Sequence, residues 1–264
     1  MRLRWAQAQA VRDRSKIGRS GPIAEAELDR IHWSESLSNP TRFYEKCHCF
    51  YQHNLPADLR AHRDYFTVCS RGFGEDAFHV LWFLLFREIR PRSFLEIGVY
   101  RGQTISLIAL LARQQNHECS ITGISPFSSV GDSVSTYLKT IDYEADTLAN
   151  FAHFNLPQPR LHRSLSSDES AKALIKSQPW DMVYIDGNHD YDVVAADWEL
   201  CSQQVQPGGV IVLDDSGLNT TYQAPRFATK GHPGPSQLAA EIDRTRFKEI
   251  LQVGHNRAFM ALKP

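Results

Sequence analysis

At 264 residues, with 42% hydrophobic and 22% charged side chains and a formal net charge of −1, the chain has the length of one large α/β domain with an appended segment and the composition of an ordinary globular protein. Near-neutrality removes the electrostatic basis for binding nucleic acid or an anionic membrane; it leaves a small-molecule partner as the expectation, and a homo-oligomer is compatible with it. The five cysteines, Cys47, Cys49, Cys69, Cys119 and Cys201, are odd in number and scattered, which argues against a disulfide framework and for a cytoplasmic protein.

Residues 1–20 set Arg2, Arg4, Arg12, Arg14, Lys16 and Arg19 against Asp13. This is the composition of a solvated arm; without an apolar stretch it is no secretory signal, although its arginines suit an organellar transit peptide. From Pro22 to Arg63 the text is polar and broken, with a short helix expected over Ile23–His32, a turn at Ser38–Pro40 and no core of its own. Residues 1–73 are therefore read as an arm plus a substrate or lid segment, and 74–264 as the main domain. Cys47-His48-Cys49 with His53 offers metal-ligand residue types at no common zinc spacing, so buried thiols and surface histidines are expected. Gly74–Arg90 is apolar around most of its circumference and predicts a buried helix, ended by Pro91. Its apolar run, Ala77–Phe86, is half the length that spans a bilayer, so no transmembrane helix is expected.

Ser93–Gly102, SFLEIGVYRG, reads as a buried strand entering a glycine-punctuated turn and then the helical pattern TISLIALLARQQ. Its spacing, E-x-G-x-x-x-G, puts Glu96 where a dinucleotide fingerprint has its first glycine. A carboxylate there repels a pyrophosphate and suits a cationic ligand, which disfavours a nicotinamide oxidoreductase. Further strands are predicted at Ser120–Ile124, Arg160–Ser164, Asp181–Ile185 and Val210–Leu213, with helices at Tyr137–Phe154, Asp168–Lys176 and Val193–Gln204 between them. Leu218–Pro235, with Gly231, Pro233, Gly234 and Pro235, suggests a lid with turn-rich hinges. A helix over Ser236–Arg244 and a hairpin of Phe247–Val253 with Arg257–Leu262 close the chain. Strands alternating with helices predict a doubly wound, mostly parallel α/β sheet, here finished by an antiparallel hairpin.

In such sheets ligands lie beyond the carboxyl ends of the strands. Asp186 ends one strand and Asp214-Asp215 ends the next, and neighbouring strands run about 4.8 Å apart, so three carboxylates converge. Such a cluster shares protons or holds a hard cation; oxygen-only ligands select Mg²⁺ ahead of Ca²⁺ or Mn²⁺. The competing account is that the aspartates cap turns and helices. His189, on the loop after Asp186, has an imidazole suited to take a proton from an attacking hydroxyl.

The Glu96, Gly98, Gly102 pattern resembles motif I of the class I methyltransferases that use S-adenosylmethionine. YIDGNHDYDVVAADWELCSQQVQPGGVIVLDD resembles the metal-dependent O-methyltransferases of the macrocin and mycinamicin sugar-methylating type, a group similar to the cephalosporin-biosynthesis protein of this fold. The resemblance covers about 74–264 and implies a seven-stranded Rossmann-like sheet and a Mg²⁺-assisted O-methyltransferase acting on a hydroxyl of a small glycosylated or polyhydroxylated metabolite. It implies Asp186, Asp214 and Asp215 as metal ligands, His189 with Asp186 as the catalytic pair, and Glu96, Gly98, Gly102, Ser125, Ser166 and Asp186 as cofactor contacts. The chain departs from the pattern at Ser125, where the second strand ordinarily ends in an acidic residue for the ribose hydroxyls; Asp132 in the next loop is the other candidate for that contact. The alternatives are a metal-independent methyltransferase and a non-catalytic cofactor-binding protein of the same fold.

Overall fold

The computed structural model describes residues 21–135, 137 and 139–263; the basic arm read over 1–20 lies outside the described residues. Seven strands form one sheet: β1 (Ser93–Ile97), β2 (Ser120–Ser125), β3 (Arg160–Arg163), β4 (Trp180–Ile185), β5 (Val205–Leu213), β6 (Phe247–Val253) and β7 (Asn256–Ala261), in the order β3-β2-β1-β4-β5-β7-β6. β1 to β5 pair in parallel, and β7 runs antiparallel between β5 and β6. The doubly wound sheet with a terminal hairpin is therefore as expected. The order reverses direction at β1 and β4, which opens a ligand crevice above that pair.

The strands form because their apolar residues are continuous, as a sheet covered on both faces requires. Phe94, Met182, Tyr184, Val210 and Val212 face one core, and Leu95, Ile97, Val183, Ile185, Ile211 and Leu213 the other, all buried. The first face is covered by α1 (Trp33–Ser38), α2 (Pro40–His53), α3 (Ala57–Thr67), α4 (Asp76–Ile89), α5 (Gln103–Gln114) and α6 (Tyr143–His153). The second is covered by α7 (Glu169–Lys176), α8 (Tyr191–Ser202) and α9 (Pro233–Glu241).

Three departures from the sequence reading bear on the site. First, residues 40–67 are two full helices whose Phe43, Phe50 and Leu59 are buried in the same core as Phe94, so the N-terminal segment is part of the main body. Within it Cys47 and Cys49 are buried as expected, but His48 is buried too, whereas His53 is exposed. Second, α6 begins at Tyr143 and not at Tyr137, because the Asp142 carboxylate caps it by accepting from the Ala145 amide at 3.1 Å. Third, Pro233-Gly-Pro235 opens α9 and is no hinge, since proline suits the first turn of a helix. The preceding loop is tied down by backbone bonds from Gly217 to Lys230 and from His232 to Asp215.

Candidate active site

The carboxyl ends of β2, β1, β4 and β5 stand level, because Ile124, Ile97, Ile185 and Leu213 are register partners. The ladder continues one residue further. The Gly98 amide donates to the Ile124 carbonyl (2.9 Å), Asp186 to Ile97 (2.9 Å) and Asp214 to Ile185 (3.1 Å). Gly98, Asp186 and Asp214 thereby sit side by side where their strands open. Gly98 has φ +103°, and a Cβ there would lie 2.0 Å from the Asp186 carbonyl oxygen. Only glycine permits this crossing of β1 and β4.

Two cavities meet above this line, sharing Gly98, Tyr100, Tyr137 and Asp186. The smaller, about 210 Å³, includes Ser125, Pro126, Tyr143, Ser166 and Asn188 in its lining. The larger, about 620 Å³, includes Glu96, His189, Asp214, Asp215, His232 and His255. Gly102, expected at the cofactor, lines neither cavity; it starts α5 with φ +79° and faces Thr147, whose Cγ2 a Cβ would approach to 2.7 Å. Its part is to let the turn enter the helix against α6. Ser125 and Ser166 are both on the smaller cavity, with the Ser125 Oγ 3.4 Å from the Phe127 amide.

The larger cavity is an electrostatic network. Burial raises Asp186 well above the ordinary carboxylate range, reinforced by the charge of Asp214 and a hydrogen bond to it. For Asp214 burial acts upward too, but the charge of His255 and its hydrogen bond outweigh it and hold this carboxylate well below its usual range. Asp186 thus keeps the proton and donates to ionised Asp214. Glu96 is pushed up to about 8 by burial, against a backbone hydrogen bond from Ile105, and its Oε2 is buried without a partner. His255 has its Nε2 3.3 Å from Asp214 and 3.7 Å from Asp215; burial lowers it, but the two aspartates carry it up to about 10.

His189 is held between two carboxylates, with Nδ1 2.5 Å from Asp132 and Nε2 2.8 Å from Asp215. Burial pulls its pKa down, but the hydrogen bonds and charges of Asp215 and then Asp132 outweigh this and raise it to about 9, so at neutral pH it is an imidazolium donating to both. Asp132 also accepts from the amides of His189 (2.9 Å), Val134 (2.9 Å) and Ser135 (2.7 Å). Although it borders the smaller cavity, its oxygens serve to orient His189. The ligand atoms that converge within 4.8 Å among the described residues are those of Asp214, Asp215 and His255, and those of His189, Asp215 and His232. Asp186 belongs to neither group and joins the cluster through Asp214.

Residues 95–216 match a family model described as a methyltransferase domain. The chain has the fold of methyltransferases of known structure. It is similar to the S-adenosylhomocysteine-bound methyltransferase PaMTH1 of Podospora anserina, at TM-score 0.60 and 16% identity, over 86% of this chain and 97% of that one. An O-methyltransferase of Bacillus cereus, solved with S-adenosylhomocysteine, matches at TM-score 0.56 and 16% identity over 81% and 95% of the two chains. An uncharacterised protein of Acanthamoeba polyphaga mimivirus is 26% identical over 157 residues, 59% of this chain; the match spans 62% of that relative's length.

In this fold the strand-end residues Glu96, Gly98, Asp186, Asp214 and Asp215 do come to one place. His232, His255 and the role of Asp132 were missed. A signal for His255 existed: a hairpin returning antiparallel along β5 puts its turn at the carboxyl end of β5, so a histidine in Gly254-His-Asn256 lands beside Asp214. No comparable signal marks His232, which reaches the site because its amide donates to the Asp215 carbonyl at 2.8 Å.

Proposed function

We propose that the protein is an S-adenosylmethionine-dependent O-methyltransferase that uses a divalent metal, Mg²⁺, to methylate a hydroxyl of a small glycosylated or polyhydroxylated metabolite. The observation that carries this reading is the meeting of two cavities at Gly98 and Asp186, with His189, Asp214 and Asp215 on the larger side. The residues fit the cofactor. Buried Glu96, with its unpartnered Oε2, suits an ammonium group, which would complete it and return it to the carboxylate form. The smaller cavity has the apolar walls and serine hydroxyls that receive a nucleoside, with Ser125 toward the ribose and Ser166 toward the base. When bound, the cofactor supplies an electrophilic sulfonium methyl.

The residues also fit a hard cation. Asp186, Asp214 and Asp215 are oxygen donors, and the proton that Asp186 shares with Asp214 is what a divalent ion would replace. Bound there, the ion would lower the pKa of an acceptor hydroxyl and fix its oxygens. The chain's own contribution is His189, held in one orientation by Asp132 and taking the hydroxyl proton at Nε2, the nitrogen that otherwise donates to Asp215. That transfer requires neutral His189. A second reading, the metal-independent enzyme, is favoured by His189 and His255, two cations that already balance the aspartates.

Calorimetric titration with S-adenosylhomocysteine, with and without Mg²⁺ and EDTA, tests both levels. Cofactor binding that survives in Asp215→Asn, together with loss of the Mg²⁺ signal, is expected. Turnover unchanged in EDTA sinks the metal, and no cofactor binding at all sinks the methyltransferase reading.

A further inference from the structure

The larger cavity has a second wall, away from the strand ends, formed by α3, α4 and the start of α5: Arg63, Thr67, His79, Gln103 and Thr104. Arg63 is only 3% exposed, and its Nη1 is buried without a hydrogen-bond partner. Its Nε donates to Asp76 Oδ1 at 3.2 Å. The other acid at this wall, Glu75, is 7% exposed and accepts from the Tyr44 hydroxyl at 2.5 Å. Burial raises Glu75 above the ordinary carboxylate range, against the charges of His255 and Arg63 and the hydrogen bond from Tyr44, and the Arg63 Nη1 stays without a partner beside it. His79, the next polar group, is engaged with the ring of His62 at 3.0 Å and offers Arg63 no charge.

A buried guanidinium whose Nη1, with two of its five N–H donors, is unsatisfied is costly, and native folds retain such groups where something else completes them. A planar, permanently charged fork on a cavity wall is suited to an oxyanion, which it binds through short, charge-assisted hydrogen bonds. Resting on the proposed methyltransferase reading, we infer that the acceptor carries an acidic group, a carboxylate or a phosphoryl group, seated at Arg63, while the hydroxyl to be methylated lies at the strand ends beside His189. The substrate is thus a hydroxylated acid. The cavity volume, about 620 Å³, lies within the range of small-ligand sites.

The test is calorimetric titration of the protein, saturated with S-adenosylhomocysteine and Mg²⁺, with matched probes: glucuronate and glucose 6-phosphate against glucose, and 3,4-dihydroxybenzoate against 1,2-dihydroxybenzene. At least one acidic probe is expected to bind tenfold or more tighter than its neutral match. Which acid wins distinguishes carboxylate from phosphoryl. Arg63→Gln should erase the preference while leaving S-adenosylhomocysteine affinity unchanged, and Arg63→Lys should retain part of it. Equal binding of acid and neutral probe, a preference that survives Arg63→Gln, or no acidic probe bound at 10 mM overturns the inference. The wild-type comparison stands even where Arg63→Gln does not fold. Absence of S-adenosylhomocysteine binding is a separate failure, that of the methyltransferase reading, and the probes are then compared without it.

Discussion

The two cavities that meet at Gly98 and Asp186 are built differently. The smaller one comes from the turns that follow β1 to β4, with its polar groups supplied mainly by serines and backbone. The larger draws on α3, α4, α5, the loop before α9 and the β6–β7 turn, and among the described residues it gathers most of the buried charge. The lesson is a division of labour. A side made by consecutive βα turns is set by the fold itself, whereas a side assembled from distant segments is free to vary, and here it carries His189, His255 and the buried acids Glu96, Asp214 and Asp215.

The difference breaks most sharply at His189. His189→Ala should lower kcat by roughly 10² to 10⁴ with S-adenosylhomocysteine affinity unchanged, measured by single-turnover kinetics and calorimetry; a near-normal rate would move the base elsewhere. The pH profile sharpens the same point. A base whose pKa is raised to about 9 is protonated below that pH and cannot accept a proton, so turnover should climb with rising pH and level off above about 9. Asp132→Asn removes one of the carboxylates that stabilise the imidazolium, and it should shift that midpoint to lower pH while reducing the plateau.

Next in size is the shared wall. Gly98→Ala places a methyl group against the Asp186 carbonyl in a backbone region that costs a residue with a side chain about 1–3 kcal/mol. Thermal unfolding should register at least that loss, and binding at both cavities should weaken together. A variant that loses one ligand and keeps the other would show that the two sides are less coupled than their common residues imply.

The smallest effect belongs to the smaller cavity. A carboxylate accepting from ribose hydroxyls contributes about 1.5–3 kcal/mol against about 0.5–1.5 kcal/mol for a neutral hydroxyl. Ser125→Asp should therefore tighten S-adenosylhomocysteine severalfold. Asp132 was the other candidate for that contact; with its oxygens taken by His189, Val134 and Ser135, Asp132→Ala should leave cofactor affinity within about twofold, since no ribose hydrogen bond is lost. Weaker binding in that variant would return Asp132 to the ribose.

How much of this was legible follows the same division. The strands were plain because Phe94–Ile97, Met182–Ile185 and Val210–Leu213 are apolar runs that end in glycine or aspartate, and a parallel sheet dictates that those ends share one edge. α2 and α3 were not. The buried residues of α2 include His48 and Cys49 beside Phe43, Tyr44, Cys47, Phe50 and Tyr51, and those of α3 include His62 and Arg63. Helical periodicity is hidden when polar side chains occupy core positions. The inward polar residues are what put Arg63 on the cavity wall, so the segment hardest to read is one that lines the larger cavity.

The place of β7 has a consequence for how the protein is made. Val210–Leu213 are fully buried, yet one side of their ladder is closed only by Arg257–Met260, a strand that follows them in the chain only after α9 and β6. A nascent chain that has emerged as far as β6 still presents β5 as an open, apolar edge, the kind of edge that recruits other chains. It also lacks His255, the cation that holds Asp214 ionised. Closure of that edge and the charge state of the site are therefore acquired in the same event, as β7 inserts between β5 and β6, and a protein clipped before residue 255 would be a substrate for chaperones and proteases.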